Sequence, residues 1–542
     1  MTIRLKLMAI CAVAGSGFAT AASAAPACTA EALNALRVGD ITVTEVKAVA
    51  AAGQTPAHCL VLGTVVTRGE GLPEGSARFS MQLPDSWSQR FLAYGVGGNA
   101  GGLNPSVNPT DRAAALGKGY VTVVNDSGHV GAAGWVRRAD GSIDKTRVTD
   151  FFYRANHSVT VAGKAFARAY YAAPVLHAYF DGCSTGGRMA MSGAIHYPDD
   201  YAGIIAGDPS MDYTLGLARL LVMKAVLNSP KAYIPQELLV AIDNRVTGIC
   251  DVIDGARDGL VQDPGRCPVK AEDLACKPGK TTACLNSDQV EVLRNFTAPM
   301  RDRRGRVLYS GWPITHLSGN GGMAAWDIGR GPPNLVNPKT PWDVWDEKTQ
   351  PSGWSFAKQT FGDWMGYGPA VDPSQFIIDT KTQAIDDKLI ARNAEVFSDG
   401  VVNNPARMKA FLAKGGKMIL YHGTADPALP YRRSVVFYEK LTAMLGARNV
   451  GASARLFLVP GMQHCGGGVG PDRFDTLAAL EAWVEQGRVP EAIAASTRAD
   501  AAVQRRVPLC PWPQQGRYGG TGDIAAIANW SCKAPAAGNR GT

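Results

Sequence analysis

Several kinds of segment are missing from this 542-residue sequence. No run of lysine and arginine stands out, and a net charge of +8 spread over this length gives no reason to expect a nucleic-acid partner. No segment after the N-terminal region is apolar enough to span a bilayer, so we expect a soluble mature protein without a membrane partner. No Cys-x-x-Cys pair occurs, which argues against a structural zinc site.

The N-terminus has the pattern of a signal peptide. Arg4 and Lys6 form a positively charged start, residues 7–13 form an apolar centre, and residues 22–24 (ASA) form a small-residue cleavage site. A membrane anchor is the alternative, but the apolar stretch is too short and is interrupted by glycine and serine. We therefore predict that residues 1–24 are removed and that the protein is secreted or periplasmic.

Cysteine usage agrees with export. Cys11 falls in the predicted signal peptide, and the even number of remaining cysteines suggests five disulfides. Spacing alone leaves the connectivity open, although short loops make four pairs natural. These four pairs are Cys28–Cys59, Cys250–Cys267, Cys276–Cys284 and Cys510–Cys532. Cys183 and Cys465 remain, far apart in the sequence.

Short apolar runs alternate with helical segments near both ends of the chain. Runs typical of buried parallel strands occupy residues 89–98, 119–125, 175–181, 417–422 and 455–459. Helical spacing is present in residues 157–171 and 431–446 between them. This alternation predicts a doubly wound α/β core.

The middle of the chain differs in composition. From about residue 210 to about residue 405 the alternation fades, and tryptophan, glycine and proline become dense. Six tryptophans lie in this region, namely Trp312, Trp326, Trp342, Trp345, Trp354 and Trp364. We predict a core in two parts, residues 25–209 and 406–542, with one lid module, residues 210–405, inserted between them.

Residues 182–186 (GCSTG) match G-x-S-x-G, in which small residues permit a tight turn that lifts a serine above the sheet. The motif follows the strand-like run 175–181 and precedes residues 187–195, which can begin a helix. This context favours a nucleophile elbow, with Ser184 as the nucleophile, over an ordinary glycine-rich turn. The sequence therefore predicts an α/β-hydrolase core.

A serine nucleophile needs a histidine base and an acid that orients the histidine. In this fold the chain order is serine, acid, histidine, with each residue on a loop after a strand. His464 follows the run 455–459 in a glycine-containing loop, and Asp426 follows the run 417–422. We predict Ser184, Asp426 and His464 as the catalytic triad.

Three other residues compete for these roles. His422 lies at the end of a predicted strand, where it suits a structural role in ordering the acid loop. Asp472 and Asp475 are alternative acids, but they lie after the histidine and have the pattern of a helix start.

An oxyanion intermediate needs hydrogen-bond donors. We predict the backbone N–H of Thr185, which follows the nucleophile, as one donor. The glycine loop 95–101 (GVGGNAG) supplies the other, for which we predict the N–H of Gly98. A dinucleotide-binding turn is the alternative for this loop, but no acidic residue closes a second strand at the required distance.

Cys183 precedes Ser184, and Cys465 follows His464. A bond between these cysteines would clamp the nucleophile and the base together across the insertion. Plain stabilisation by loop closure, about 2–4 kcal/mol, is the alternative, and both effects can hold.

Four stretches resemble the tannase and feruloyl esterase family. They are residues 182–188 (GCSTGGR), 197–209 (YPDDYAGIIAGDP), 422–430 (HGTADPALP) and 461–468 (GMQHCGGG). The adjacency of Cys to Ser and of His to Cys is specific to this family, and the likeness covers nearly all of the mature chain. The resemblance implies the triad named above, a Cys183–Cys465 disulfide and a large lid.

The resemblance also implies a structural Ca²⁺ in the lid, at residues 250–260 (CDVIDGARDGL). Aspartate carboxylates and backbone carbonyls are the hard oxygen ligands that Ca²⁺ takes. The predicted ligands are Asp251, Asp254, Asp258, Ala256 and Leu260. The loop is not an EF-hand, because the twelfth position is Gln262. Without the resemblance, a solvated Asp/Gly turn is an equal alternative, and no organic cofactor is expected.

The resemblance implies a small aromatic ester as substrate, so we predict an esterase that releases phenolic acids such as ferulate or gallate. The tryptophan-rich lid suits an aromatic group, although we expect most of the six tryptophans to form the lid's own core. No lid arginine stands out as a partner for a substrate carboxylate. Terephthalate monoesters and short aliphatic esters are the alternative substrates. A calcium-stabilised binding protein with an inactive site is an alternative of another class, against which the complete triad argues.

Overall fold

The structure is a computed structural model that describes residues 27–534, apart from residues 54, 280, 281, 337 and 369. The predicted signal peptide, residues 1–24, lies outside the described residues. Within the described part of the chain, no helix combines the length and the apolar character needed to cross a bilayer.

Strands and helices are numbered in chain order. The strands are β1 (Ile41–Val49), β2 (His58–Thr67), β3 (Gly75–Pro84), β4 (Arg90–Tyr94), β5 (Tyr120–Asn125), β6 (His177–Cys183), β7 (Gly203–Gly207), β8 (Met300–Arg301), β9 (Val307–Tyr309), β10 (Ile378–Asp379), β11 (Ala384–Ile385), β12 (Lys417–Gly423), β13 (Ala454–Val459), β14 (Arg473–Phe474), β15 (Ile493–Ser496), β16 (Arg506–Leu509), β17 (Gln515–Tyr518) and β18 (Trp530–Lys533). The α-helices are α1 (Ala30–Asn34), α2 (Pro109–Gly117), α3 (Lys145–Thr149), α4 (Ala155–Tyr171), α5 (Thr185–His196), α6 (Thr214–Leu227), α7 (Gln236–Cys250), α8 (Ser287–Thr297), α9 (Ser352–Gln359), α10 (Asp387–Val396), α11 (Lys409–Ala413), α12 (Arg432–Leu445), α13 (Ala447–Ser453) and α14 (Thr476–Gln486). Turns of π-helix occupy Asp150–Arg154, Ala324–Ile328 and Thr360–Trp364.

The largest sheet has the strand order β1-β2-β3-β5-β4-β6-β7-β12-β13. The pairs from β1 to β5 are antiparallel, and every neighbouring pair from β5 to β13 is parallel. The chain passes from β5 across β4 to β6, so the direction of winding reverses between β4 and β6. Sites in open α/β sheets lie beyond the carboxyl ends of the strands at such a reversal.

The winding places helices on both faces of this sheet. Helices α2 and α14 contact each other on one face, and α4 and α5 contact each other on the opposite face. Strands β5 and β7 are buried along their whole length, as parallel strands covered on both faces should be. The α/β-hydrolase prediction is confirmed, and the predicted runs correspond to β4, β5, β6, β12 and β13.

The antiparallel strands β1, β2 and β3 were not predicted. The side chains of β2 and β3 alternate between buried and partly exposed positions, and every side chain of β1 is partly or fully exposed. They extend the sheet beyond β5 and contribute to the same hydrophobic core.

The region between β7 and β12 has its own hydrophobic core. Its buried side chains, from residues 217–389, form a cluster distinct from the one around the large sheet, which draws on residues 33–211 and 402–509. Four of the six tryptophans lie in this second core, which confirms the expectation for most of them. They are Trp312, Trp342, Trp345 and Trp354. The division at residues 210 and 405 and the role of a lid stay predictions.

The described cysteines form five disulfides. They are Cys28–Cys59, Cys183–Cys465, Cys250–Cys267, Cys276–Cys284 and Cys510–Cys532. This pairing agrees with the four short-range pairs that the spacing favours and with the long-range pair that the resemblance implies. The long-range bond joins residues separated by 282 positions, with a Cα–Cα distance of 5.9 Å.

Candidate active site

The chain turns sharply at Ser184, between β6 and α5. Ser184 has φ +65° and ψ −123°, a conformation that residues other than glycine rarely adopt. A Cβ atom added to Gly182 or to Gly95 would lie 2.4 Å or 2.3 Å from backbone atoms of Gly186. Glycine is therefore required at both positions, because the ends of β4 and β6 approach the start of α5 at backbone contact.

His464 and Asp426 meet beside this turn. His464 Nδ1 lies 2.8 Å from Asp426 Oδ2. Asp426 Oδ1 accepts hydrogen bonds from the backbone N–H groups of Ala428 at 2.7 Å and Leu429 at 3.0 Å. A proton on Nδ1 makes His464 the donor to Asp426 and leaves Nε2 as an acceptor. Because Ser184 and His464 line the same cavity, the structure brings the three predicted triad residues together.

The charges around His464 favour a protonated imidazole. Burial works to lower the pKa of His464, but the charges of Asp426 and Asp208 outweigh burial and the pKa is raised. Burial works to raise the pKa of Asp426, but the charges and hydrogen bonds of His464 and His422 hold it well below its usual range. Asp426 therefore stays ionised when the imidazole takes up a proton.

His422 has the structural position that the sequence predicts. It is fully buried, with Nδ1 2.7 Å from Ser434 Oγ and Nε2 2.9 Å from the backbone oxygen of Leu429. Its Nε2 also lies 3.4 Å from Asp426 Oδ2. His422 thus joins the end of β12 to the loop that carries Asp426.

The two alternative acids contact other groups. Asp475 is the N-cap of α14 and accepts a hydrogen bond from the N–H of Ala478 at 2.7 Å, as a helix start requires. Asp472 accepts one from the N–H of Gly467 at 2.7 Å and pairs with Arg498 at 3.2 Å. Asp426 is therefore the carboxylate that contacts His464.

The glycine loop after β4 lies against the start of α5. Thr185 Oγ1 donates a hydrogen bond to the backbone oxygen of Gly98 at 2.6 Å. Gly98 has φ +59°, and both residues line the cavity together with Ser184. The side chain of Asn99 reaches Gln359 at the end of α9, so this loop also contacts the insertion. The two predicted oxyanion donors lie in one wall, and their role stays a prediction.

A cavity of about 270 Å³ lies over Ser184, between the core and the insertion. The insertion lines it with Leu215, Trp326, Phe356 and Trp364, among others. The ring of Trp326 meets the His464 ring edge-on, with 5.0 Å between ring centroids, and is parallel to the Phe356 ring at 6.2 Å. Two of the six insertion tryptophans, Trp326 and Trp364, therefore face the candidate site.

Arg219 on α6 is a charged residue of this wall that was not predicted from the sequence. Its guanidinium is buried, donates to the backbone oxygen of Ala428 at 2.6 Å and lies 5.4 Å from the centre of the Trp326 ring. Arg219 Nε is 3.3 Å from Asp327 Oδ1, and burial raises the pKa of Asp327 to about 7 although Arg219 opposes the shift. The available signal was an arginine in the middle of a helix whose one other charged residue is Lys224 in the last turn.

The predicted calcium loop is held by its own backbone. Asp251 accepts hydrogen bonds from the N–H groups of Gly259 at 3.0 Å and Leu260 at 3.1 Å. Asp258 Oδ1 accepts another from Leu260 at 3.1 Å, and Asp258 Oδ2 lies 3.5 Å from Arg505 Nη1. These contacts are those of an ordered acidic turn.

The carboxylate of Asp254 is the least well hydrogen-bonded of this loop. Its Oδ1 accepts from the N–H of Ala256 at 2.8 Å, while its buried Oδ2 has no hydrogen-bond partner. Burial and the charges of Asp258 and Asp251 raise the pKa of Asp254 to about 7. The crowded charges and the unpartnered oxygen fit a cation. In the described chain, however, the ligand oxygens of Asp251, Asp254 and Asp258 do not all lie within 4.8 Å of one another. The calcium site stays a prediction.

Comparison with known proteins agrees with these features. The family model described as tannase and feruloyl esterase matches residues 59–533. A mono(2-hydroxyethyl) terephthalate hydrolase of Piscinibacter sakaiensis is 32% identical over 90% of this chain and 87% of its own. A probable feruloyl esterase B-1 of Aspergillus oryzae is 28% identical over 83% of this chain and 80% of its own.

Solved structures share the fold. Feruloyl esterase B from Aspergillus oryzae superposes with a TM-score of 0.74 at 24% identity, covering 92% of this chain and 97% of its own. Tannin acyl hydrolase from Aspergillus niger gives a TM-score of 0.73 at 22% identity, covering 95% and 96%. The chain belongs to the tannase and feruloyl esterase family and is a carboxylic ester hydrolase with an α/β-hydrolase fold.

Proposed function

We propose that this protein is an exported serine esterase that releases phenolic acids, such as ferulate or gallate, from esters in which the acyl group carries no charge. The supporting observation is an aromatic-walled cavity over Ser184 and the hydrogen-bonded pair His464–Asp426. The predicted signal peptide and the five disulfides support export to the periplasm or the medium. Membership of an enzyme family weighs against the alternative that the chain is a binding protein with an inactive site.

The proposed mechanism is acyl transfer through Ser184. His464 Nε2 takes the proton of Ser184 Oγ as the oxygen attacks the ester carbonyl, and Asp426 stabilises the imidazolium that forms. The backbone N–H groups of Thr185 and Gly98 donate to the oxyanion. His464 then protonates the departing alcohol, and in the second half it deprotonates the water that hydrolyses the acyl-enzyme.

The charges of the cavity support an uncharged acyl group. Among the cavity-lining residues that the structure describes, Arg219 is the one arginine or lysine, and Asp327 and a backbone carbonyl already engage it. Asp212, also in the wall, pairs with Arg433 and accepts from Asn403 Nδ2 at 2.7 Å. A substrate carboxylate buried here would meet no unpaired cation, which is costly.

The first experiment measures Ser184→Ala against Ser210→Ala on methyl ferulate, methyl gallate and p-nitrophenyl acetate. Ser210 lines the same cavity, and its backbone N–H contacts the backbone oxygen of Ser184, so loss of its hydroxyl is the matched control. We expect Ser184→Ala to lose at least about 10³-fold in kcat and to resist fluorophosphonate labelling. Activity retained in Ser184→Ala would refute the proposed nucleophile.

Terephthalate monoesters are the second candidate substrate, because the relative of 32% identity is named for one. Dimethyl and monomethyl terephthalate separate the two candidates, since the group opposite the scissile ester is a neutral methyl ester in the first and a carboxylate in the second. We expect kcat/KM for the uncharged diester to exceed that for the monoester by more than about tenfold, as an unpaired buried carboxylate requires. A preference for the monoester would favour the second candidate.

We also propose a structural Ca²⁺ at the acidic loop. The carboxylates of Asp251, Asp254 and Asp258 and the backbone carbonyls of Ala256 and Leu260 would hold it, and it would stabilise the insertion. We expect a chelator to lower the Tm of the native protein and to have no effect on the Tm of Asp254→Asn. An unchanged Tm, with no calcium found by metal analysis of the purified protein, would remove the site.

A further inference from the structure

The carboxylate of Asp208 lies where the segments that carry the triad meet. Asp208 directly follows β7 and is fully buried. Its Oδ1 accepts a hydrogen bond from the N–H of Gly423 at 2.7 Å, and its Oδ2 accepts one from the N–H of Cys465 at 2.6 Å. Gly423 ends the strand that leads to Asp426, and Cys465 is the neighbour of His464.

The same short segment also contacts the nucleophile. The backbone oxygen of Gly207 accepts a hydrogen bond from the N–H of Ser184 at 2.9 Å, and the N–H of Asp208 donates to the oxygen of Tyr421 at 2.9 Å. Asp208 Oδ2 lies 3.4 Å from the Sγ of Cys183. Asp208 has φ +35°, so the backbone accepts an uncommon conformation to place this carboxylate.

We propose that Asp208 is a positioning residue, a second buried carboxylate that holds the segments of Ser184, Asp426 and His464 in register and supports the charge of the imidazolium. It acts through the N–H of Cys465 and through its charge, without contact with the substrate. The inference rests on the proposed role of His464 as the base. Neither the charge pattern nor the chain order of the triad points to this residue.

Several charged groups besides Asp208 surround the imidazole of His464. Asp426, Asp208 and His422 face the imidazole from the core, and Arg219 with Asp327 lies behind the Trp326 ring on the insertion side. Asp472, paired with Arg498, holds the end of the base loop.

The expected pH dependence follows from these charges. Burial raises the pKa of Asp208 to about 6, although His422 opposes the shift, so Asp208 is ionised at neutral pH. Its charge helps to raise the pKa of His464, and the base is active only when it is unprotonated. Removing the charge of Asp208 therefore lowers the pKa of His464 and moves the acid limb of kcat/KM to lower pH.

The test is Asp208→Asn, which keeps the shape and removes the charge. Asp243→Asn is the matched control, because Asp243 is also buried and accepts hydrogen bonds from the N–H groups of Leu317 and Ser318, each at 2.7 Å, inside the insertion. We expect Asp208→Asn to lower kcat by about 10- to 100-fold and to shift the acid limb to lower pH. Asp243→Asn should lower the Tm and leave both kcat and the limb unchanged.

Other outcomes would overturn the proposal. One is an Asp208→Asn variant whose kcat and pH profile of kcat/KM are those of the wild type. Another is a lower kcat with an unchanged acid limb of the pH profile, which is the result expected of a merely structural residue. If Asp208→Asn does not fold, Asp208→Glu is measured instead. This variant retains the charge, so its kcat should fall while the acid limb of its pH profile stays in place. A shifted acid limb in Asp208→Glu would contradict the proposal. Activity retained in His464→Ala would instead refute the proposed base, so the two failures are distinguishable.

Discussion

The core and the insertion build opposite walls of one cavity by different means. On the core side the contacts are between backbones, and a Cβ on Gly95 would lie 2.3 Å from the Cα of Gly186. At Gly216 on the insertion side the nearest atoms belong to a side chain, and a Cβ there would lie 3.3 Å from a methyl group of Thr360, although a Cβ on Gly353 would lie 2.4 Å from the backbone oxygen of Trp326. The elbow that carries Ser184 thus leaves no room for a methyl group at Gly95, while the wall at Gly216 can adjust through the side chain of Thr360.

The two regions contact each other around the cavity and through a third hydrophobic cluster. Trp326 of the insertion packs edge-on against His464, and Arg219 donates to Ala428 in the loop of Asp426. Asn99 of the glycine loop reaches Gln359 of the insertion. Changes in the core should therefore affect the rate of chemistry, and changes in the insertion should affect the choice of substrate.

The largest expected effect is that of crowding the core backbone. Gly95→Ala should lower kcat/KM for every ester by about 100-fold, because a methyl group there displaces the elbow that carries Ser184. Gly216→Ala is the matched change across the cavity and should stay within about threefold, since side-chain atoms can give way. Initial rates on methyl ferulate and p-nitrophenyl acetate would measure both, and equal losses in the two variants would break the comparison.

An effect of intermediate size is expected from removing the disulfide of the active site rather than one of the insertion. Replacing Cys183 and Cys465 by alanine should lower kcat by about tenfold or more while circular dichroism retains the secondary structure, because the bond joins the nucleophile segment to the base segment. Replacing Cys276 and Cys284, a pair only 8 residues apart in the insertion, should alter the Tm and leave kcat unchanged. Near-normal turnover without the Cys183–Cys465 bond would mean that it only stabilises the fold.

The smallest expected effect concerns the aromatic wall. Phe356→Ala should raise KM for methyl ferulate by about 3- to 10-fold, the scale of one aromatic contact, and leave p-nitrophenyl acetate nearly unchanged. Phe376→Ala is the control, because Phe376 packs on Phe361 and Tyr367 away from the cavity. Equal effects of Phe356→Ala on aromatic and acetyl esters would argue against an acyl pocket on this side.

The sequence predicted best where the signal is local. The buried strands β4 to β6 and β12 to β13 are short apolar runs, and such runs are recognisable without knowing what covers them. Strands β2 and β3 were missed because one face is partly exposed, and β1 because it is partly or fully exposed along its whole length. Strands β14 to β18 were missed because two to four residues are too few for a period to show. In the insertion, composition identified a tryptophan-rich module but could not tell Trp326, which faces the cavity, from Trp354, which is core.

Asp208 illustrates the limit for a polar residue. It lies in a stretch that resembles the family, yet nothing in its immediate sequence distinguishes it from other aspartates. Its importance comes from contacts with Gly423 and Cys465, which are 215 and 257 positions away. The same holds for Arg219, whose partner Ala428 is 209 positions away.

The sequence by itself determined the order of Ser184, Asp426 and His464 and the glycine elbow, and its cysteine spacing favoured four short-range pairs without fixing them. Each of these depends on neighbours along the chain or on the order of strands, which spacing and residue type already contain. Only the tertiary structure decided which aspartate contacts the histidine, which tryptophans line the cavity, and that Arg219 and Asp208 already have partners. The contacts of Arg219 and Asp208 join segments more than 200 residues apart. Arg219 reaches Ala428 where the insertion packs on the core, and Asp208 reaches Gly423 and Cys465 within the core, where β7 lies beside β12.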